Sequence, residues 1–439
     1  MPPLLIGLIC IIVMVLLSVF GVPIFVALGS VGVAGLIIVM GFDSAMGIVS
    51  SLPFAILASY GLAVVPLFYL MGEIAAEAGI AKDAYEAAHR LLGGLRGGLA
   101  MATTLGSGFS SACMGSSVAN AALFTRVAYP EMLRFKYDRS FSLGCIASSG
   151  TFAIMIPPSI ALVVYGIITE ESIGRLLIAG IIPGILTVLV YLISIWVRCN
   201  LNPKLAPYAP KRYTLSEKIK GSFGLWGIAS LFILVLGGIY AGLFTPSAGG
   251  AIGALGAFIL ALTRRRLNYT TIMMVATETM KGMTSIIVII IGGFLMARFL
   301  VLSDFVESLV DFTTGHANLS PVSVIISIAI MYIVLGAVMD GVSMMVTTMP
   351  FVYPVVTSLG FDGIWFGIFF IKLTEIALLT PPIGANLYIV TAAAGDNTDL
   401  MDVIKGVWPF LLADAIVLTL LILFPAMATY LPYMMYATS

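Results

Sequence analysis

Apolar residues fill this chain in long uninterrupted runs, and polar residues gather in short clusters between them. Runs of about 20 residues are long enough to cross a hydrocarbon core as a helix. Such runs fall near 4–20, 22–40, 54–78, 138–168, 172–198, 222–240, 245–263, 283–302, 362–394 and 403–430. Two further apolar segments, 97–130 and 320–357, are interrupted halfway by small and polar residues. Each half is about 15–19 residues, or roughly 22–28 Å of helix, marginal or too short to cross alone. They read as re-entrant hairpins that enter and leave on one side. The stretches 80–94 and 268–281 mix charge with apolar positions and read as interfacial helices.

Two of the spans contain a feature that a spanning helix does not ordinarily tolerate. "FAIMIPPSIALVV" (152–164) and "LLTPPIGANLYIV" (378–390) each place two consecutive prolines inside an apolar run. Proline has no N–H, and its ring clashes with the preceding turn, so the carbonyls one turn earlier lose their helical partners. In lipid each free group costs several kcal/mol. Pro381 lies 224 residues after Pro157, and the same offset aligns Tyr129-Pro130 with Tyr353-Pro354 and Asp138 with Asp362. Each proline pair therefore follows a hairpin at a matching position. A single pair would be read equally well as a packing kink, but two in register predict a repeat with a substrate and ion site near the midplane.

Charge sets the orientation. Lys82, Arg90 and Arg96 precede the first hairpin, and Arg126, Arg134, Lys136 and Arg139 follow it. The 198–220 connection holds six basic residues against Glu217 alone, and Arg264, Arg265 and Arg266 form a further cluster. These regions belong in the cytoplasm. Glu170, Glu171, Asp304, Glu307 and Asp311 fall on the other face, so the first hairpin opens from inside, the second from outside, and both termini lie outside. The predicted fold class is an all-α polytopic membrane protein with inverted repeats, each a re-entrant helical hairpin and a proline-broken transmembrane helix.

Composition agrees. Of 439 residues, 60% are hydrophobic and only 10% charged, against about a quarter charged in a soluble domain. The formal net charge is zero, so nothing points to nucleic acid. Four scattered cysteines without a CxxC and two histidines argue against a disulfide framework or a zinc site. The N-terminal "MPPLLIGLICIIVMVLLSVF" lacks the basic region and A-x-A site of a signal peptide. It reads as a first spanning helix that stays.

The breaks carry the candidate chemistry. Carbonyls of Ala153 and Ile154, and of Ala377 and Leu378, are expected to be free for a cation. A new half-helix is expected to start at each proline pair, with Thr380 as an N-cap, its positive end facing an anion. The first hairpin tip, "GSGFSSACMGSS" (106–117), has eight Gly or Ser among twelve residues, offering close backbone approach and hard oxygen ligands. Ser116, Ser117 and Asn120 begin its outgoing arm. In the second, "GAVMDG" (336–341) marks the tip, with Thr347 and Thr348 beyond it. Asp340 is either a functional intramembrane carboxylate or the cap of the outgoing helix. Lys372 and Glu375, three apart, are expected to pair. Arg298 either meets a substrate carboxylate or snorkels to the interface. Asp414 has no evident partner, and Trp196, Trp226, Trp365 and Trp408 read as interface anchors.

"GSSVANAALF" with "YPEM", "IPPSIALVVYG" and "AGIIPG", then "MDGVSMMVTTMPFVYPVV", "LGFDGIWFGI" and "TPPIGANLYIV", resemble the large membrane subunit of TRAP (tripartite ATP-independent periplasmic) transporters over essentially the whole chain. The departure at "GSGFSSACMGSS", where a tip nearer "SGAISGSS" is expected, falls at Phe109 and Cys113. The resemblance implies a bacterial inner-membrane, sodium-coupled, elevator-type importer of an organic acid anion such as a C4-dicarboxylate, a sialic acid or a sugar acid. It also implies a small four-helix membrane subunit, a periplasmic substrate-binding protein, and Na+ as coupling ion with no other cofactor. Carried onto this chain, it gives scaffold helices at 1–80, a first transport repeat at 81–170, scaffold at 171–267, a second repeat at 268–400 and a C-terminal helix at 401–439. One cation site would use Ser110, Ser116, Ser149 and Gly150 with carbonyls near Pro157. The other would use Gly336, Thr347 and Thr374 with carbonyls near Thr380 and Pro381. The anion would lie near Ser117, Asn120, Ser159 and Asn386, with Asp340 and Arg298 as further contacts. By the same resemblance, the chain is expected to start directly at the large subunit's first helix.

Three other readings compete with this one. A stand-alone divalent anion/sodium symporter would need no binding protein. An intramembrane protease would need a base, but His89 and His316 lie outside the spans and "VMDG" is no G-x-G-D. A channel fits two hairpins from opposite faces less well than alternating access does.

Overall fold

The computed structural model describes residues 3–207, 213–313, 320–336, 339–382, 384–395 and 398–437, and every regular element among them is helical. The first helices are α1 (Pro3–Val19), α2 (Ile24–Met40), α3 (Phe42–Leu57) and α4 (Val64–Glu77). Helix α5 (Ile80–Leu92) leads into the first hairpin, made of α6 (Gly98–Met114) and α7 (Ser117–Arg134). The first broken helix is α8 (Arg139–Gly150) with α9 (Phe152–Met155), then α10 (Ile160–Thr169), and its arms are bent by 43°. Helices α11 (Ile173–Ala179), α12 (Ile181–Leu201), α13 (Leu215–Ser222), α14 (Trp226–Phe232), α15 (Gly238–Tyr240) and α16 (Pro246–Thr263) follow. Then come α17 (Tyr269–Leu302), α18 (Phe305–Asp311), the second hairpin α19 (Pro321–Gly336) and α20 (Gly341–Ser358), the second broken helix α21 (Gly363–Leu379) and α22 (Ala385–Ala394), and finally α23 (Leu400–Leu423) and α24 (Ala426–Ala437). Among the described residues, six helices or continuous helical segments are long and apolar enough to cross a membrane, or seven with the bent pair.

The repeat is visible in the element boundaries. Adding 224 to the bounds of α7 gives those of α20, and adding it to the α8–α9 span gives α21. Both broken helices open on an aspartate N-cap, Asp138 accepting from the Phe141 N–H and Asp362 from the Trp365 N–H, each at 2.8 Å. The equivalent ends face opposite ways. Asp138 donates its N–H to the Leu205 carbonyl at 3.0 Å, in the basic 198–220 connection. At the other end, Tyr165 donates to the Gly363 carbonyl at 2.7 Å, and Tyr353 to Glu171 at 2.6 Å. Arg264 donates to Asp83 at 2.5 Å and to the Ala78 carbonyl at 3.1 Å, joining its basic cluster to the α4–α5 connection. Basic regions thus meet one another, as the orientation from charge requires.

Several boundaries differ from expectation. The run 54–78 is two helices separated by a short 3-10 turn at Tyr60–Ala63, and α3 begins earlier, at Phe42. The expected interfacial helix at 268–281 and span at 283–302 are one 34-residue helix, roughly 51 Å long against a core of about 30 Å. No proline interrupts it, and its polar turn is stabilised by a Glu278–Lys281 pair at 2.8 Å. The run 403–430 breaks at Phe424, which adopts φ −128°, ψ 73° before Pro425. The half-helices after the proline pairs start later than expected, as the site geometry explains.

Close helix crossings rest on small residues. α23 lies against α8 where Gly144 meets Gly406, and a methyl group at Gly406 would sit 1.9 Å from the Ser140 carbonyl oxygen. Gly32 of α2 faces the Met296 backbone of α17 in the same way, at 2.7 Å. We expect Gly406→Ala to destabilise the protein by ~2 kcal/mol or more through forced separation of α8 and α23. By contrast, Gly47→Ala, in an open position on α3, should be neutral or stabilising by up to about 1 kcal/mol. Thermal unfolding of the two variants in detergent checks the contrast; equal midpoints would remove the packing argument.

Candidate functional site

The two hairpin tips meet at one cavity of about 380 Å³. From hairpin one come Gly115, Ser116, Ser117 and Val118; from hairpin two, Asp340, Gly341 and Val342. Ile154, Thr374 and Leu378 of the broken helices form its floor, and Tyr69 of α4 with Ser285 and Ile289 of α17 closes the far side. A second cavity, about 890 Å³, shares Asp340, Ser285 and Ile289 with the first and reaches Gly21 and Val22 between α1 and α2. The part of the second tip at 337–338 lies outside the described residues.

Equivalent residues cap the two outgoing arms with different charge. Gly115 turns the chain at φ 61°, and Ser116 then accepts from the Ala119 N–H at 3.4 Å. The N–H groups of Ser117 and Val118 lack helical partners, as at any helix start. Asp340, 224 residues on, accepts from Val342 and Ser343 N–H at 3.1 and 3.2 Å, and its other oxygen from the Ser343 hydroxyl. Asp340 is therefore both a helix cap and a cavity wall. The neutral Ser116 leaves the positive end of α7 available to an anion, whereas Asp340 offsets the positive end of α20. The cavity has an anion-favouring side at hairpin one and a cation-favouring side at hairpin two.

The breaks are extended links. Ile156 (φ −74°, ψ 120°) and Thr380 (φ −89°, ψ 122°) sit just before the prolines, where the pyrrolidine ring disfavours helix. The prolines consequently belong to the link, joined by cis peptides at Pro157–Pro158 and Pro381–Pro382. The new helices start later, capped by Ser159 and Gly384, so Thr380 is a C-cap and not the expected N-cap. The released carbonyls are partly taken. Ser159 donates to the Ile154 carbonyl at 2.5 Å, Thr380 Oγ1 to Ile376 at 2.7 Å, and the Thr380 N–H to Ala377 at 3.1 Å.

The remaining predicted residues divide into cavity walls and buried seams. Ser116, Ser117, Asp340 and Thr374 line the cavity. Asn120 is buried inside hairpin one, accepting from Ser110 at 2.7 Å and donating to Ser107 and Ser111 at 2.9 and 3.0 Å. Its three serine partners hold it within the hairpin. Ser149 donates to Cys145, and its carbonyl accepts from Ser107 at 2.7 Å. Gly150 lets Ala121 approach, where a methyl group would come within 2.6 Å. Gly336 does the same for Ala377 at 2.1 Å. Thr347 and Thr374 donate to their own helices, at Ser343 and Phe370, which leaves their oxygen lone pairs available to a cation. Asn386 donates to the Ala147 carbonyl at 3.1 Å, and its buried Oδ1 has no partner among the described residues. Arg298 is exposed on α17 beyond the cavity, because α17 has already run past the tips. Tyr69 and Ser285 were missed: nothing in their local sequence marks them.

Residues 11–427 match the model of the family described as the tripartite ATP-independent periplasmic transporter, DctM component. The chain belongs to this family. A C4-dicarboxylate TRAP transporter large permease protein DctM of Pseudomonas aeruginosa is 32% identical, covering 85% of this chain and 86% of that protein. A 2,3-diketo-L-gulonate TRAP transporter large permease protein, YiaN of Escherichia coli, is 30% identical over 84% and 85%. An isethionate TRAP transporter permease protein, DctMQ of Oleidesulfovibrio alaskensis, is 27% identical over 95% of this chain and 64% of that protein. Among solved structures, the YdaH transporter of Alcanivorax borkumensis superposes with a TM-score of 0.55 at 14% identity, covering 98% of this chain and all of that one, a likeness of fold alone. This DctM-family chain is a large permease subunit, a transporter and not an enzyme, in the bacterial inner membrane.

A charge cluster lies behind the site of this DctM-family permease. Lys372 donates to Glu375 at 2.7 Å, as expected, and also to Asp414 of α23 at 2.6 Å and Thr187 of α12 at 3.3 Å. Tyr191 of α12 donates to the other Asp414 oxygen at 2.8 Å. Lys372, Glu375 and Asp414 are all wholly buried. Asp414 thus has its partner, 42 residues away and invisible to local spacing. Lys372→Met would leave two buried carboxylates without their cation, and we expect a loss of about 3–5 kcal/mol. The triple change adding Glu375→Gln and Asp414→Asn should recover most of it. Thermal unfolding of both variants tests this, and a single variant as stable as the wild type would refute it.

Proposed function

We propose that this permease imports an organic acid anion, a C4-dicarboxylate, sialic acid or sugar acid, by sodium-coupled elevator movement. The observation that carries the reading is the convergence of two oppositely inserted hairpin tips and two broken helices on one cavity with an anion-favouring and a cation-favouring side. Small acids appear in the relatives' names, C4-dicarboxylates and diketogulonate among them. The moving part is the two hairpins with the broken helices at 138–168 and 362–394, together with α12 and α23, which the buried Lys372 cluster and the Gly144–Gly406 crossing lock to those helices; the remaining helices form the scaffold. Coupling Na+ ions sit in two oxygen-lined sites. One is formed by hairpin one with Ser110, Ser149 and Gly150, the other by hairpin two with Gly336, Thr347, Thr374 and the carbonyls before Pro381. The connected second cavity ends between α1 and α2, the side that charge assigns to the cytoplasm, which supports an inward-open state. The substrate is delivered by a periplasmic binding protein, with a small membrane subunit beside the scaffold. That the isethionate relative is longer than the part matched supports a second membrane component.

Thermal unfolding in sodium against potassium chloride, at matched ionic strength, tests the coupling ion. An ion bound only to the folded state at about a hundred times Kd adds roughly 2.7 kcal/mol. We expect a sodium-specific rise in midpoint that is lost in Thr347→Ala and in Ser149→Ala. Equal midpoints in the two salts, with the small subunit present, would reject sodium coupling.

A further inference from the structure

An apolar groove of about 460 Å³ runs between hairpin one and the helices at its back, away from the transport cavity. Gly108 and Phe109 of α6 and Pro157 of the first break form one wall; Val188 of α12 and Ile228 and Ala229 of α14 form the other. Among the described residues, no polar side chain lines it. Its mouth faces outward: Ile185, Leu189 and Ile233 on the rim are 55%, 50% and 68% exposed. In a membrane-spanning chain these side chains meet acyl chains, so the groove is continuous with the hydrocarbon core.

Both flanking helices end the groove in the same way. On α12 the stripe Ile185, Leu189, Leu192 leads at helical spacing to exposed Trp196. On the continuous segment Leu215–Tyr240, exposed Leu215, Ile219 and Phe223 lead to exposed Trp226, next to the groove residue Leu225. Two tryptophans therefore flank the cytoplasmic end, at the depth where indole prefers to sit. Just beyond them, α13 carries Lys218 and Lys220, cations at headgroup level, with Glu217 on the same helix. That glutamate is occupied in the capping box of Thr214.

We propose that this groove binds one anionic phospholipid of the cytoplasmic leaflet, an acyl chain between hairpin one and α14 and the phosphate near Lys218 and Lys220. The apolar walls select a hydrocarbon chain, the tryptophans fix its depth and the lysines select the charge.

Native mass spectrometry of the full chain, released from detergent with equal phosphatidylglycerol and phosphatidylcholine added, tests it. We expect one phosphatidylglycerol per chain to survive detergent levels that strip all other lipid. Ala229→Phe and Gly108→Leu fill the groove from opposite walls, so a folding defect in one leaves the other to decide. Each should weaken retention roughly tenfold, the effect of about two methylenes denied burial. Lys218→Gln and Lys220→Gln should each reduce the preference for phosphatidylglycerol roughly fivefold. No retained lipid on the wild type, retention unchanged in both filled variants, or loss of the lipid when the small membrane subunit is added would overturn the proposal. The last result would make the groove a subunit interface.

Discussion

The arrangement depends on one constraint: a backbone carbonyl inside a bilayer must find a partner within the protein. Each proline pair removes such partners at mid-depth, and the two repeats replace them from opposite sides of the break. In the first, a residue beyond the prolines reaches back, Ser159 to the carbonyl of Ile154. In the second, the residue before them turns its N–H back onto its own helix, Thr380 to the carbonyl of Ala377. The break is thereby held in a defined shape, and the carbonyls that remain lie beside the hairpin tips.

Bringing a hairpin against such a break requires backbones to approach more closely than side chains normally allow. Gly150 against Ala121, Gly336 against Ala377 and Gly341 against Thr374 provide that contact. Each is a place where even a methyl group would separate hairpin and broken helix. The serine network of hairpin one adds rigidity, with Asn120 joining its two arms through Ser107, Ser110 and Ser111. These polar residues thus hold the two arms of the hairpin in position. A polar side chain in an apolar setting must be satisfied somewhere, and its nearest neighbours across a hairpin are the first available partners.

The buried Lys372, Glu375 and Asp414 extend the same rule to full charges. Isolated, each would be very costly within the bilayer. Together, with Thr187 and Tyr191, they link α12, α21 and α23 at a level behind the second break. The cluster fixes the position of the helix that presents Thr374 and Leu378 to the cavity. Geometry at the site is therefore set from behind as well as from the hairpins.

The sequence by itself determined the class of protein, the inverted repeat and the places where helices break. Those follow from local physics: apolar length against bilayer thickness, charge at the ends of spans, and what proline does to the residues on either side. The 224-residue offset was legible because both copies keep their caps and prolines in register. Tertiary structure decided everything that depends on who faces whom. Asn120 turned inward, Arg298 fell beyond the cavity, Asp414 met Lys372, and Tyr69 and Ser285 became walls of the site. Spacing along one helix shows which face a residue shares, but the partner on the opposing face comes from a distant segment. Only the packing of the helices brings it there.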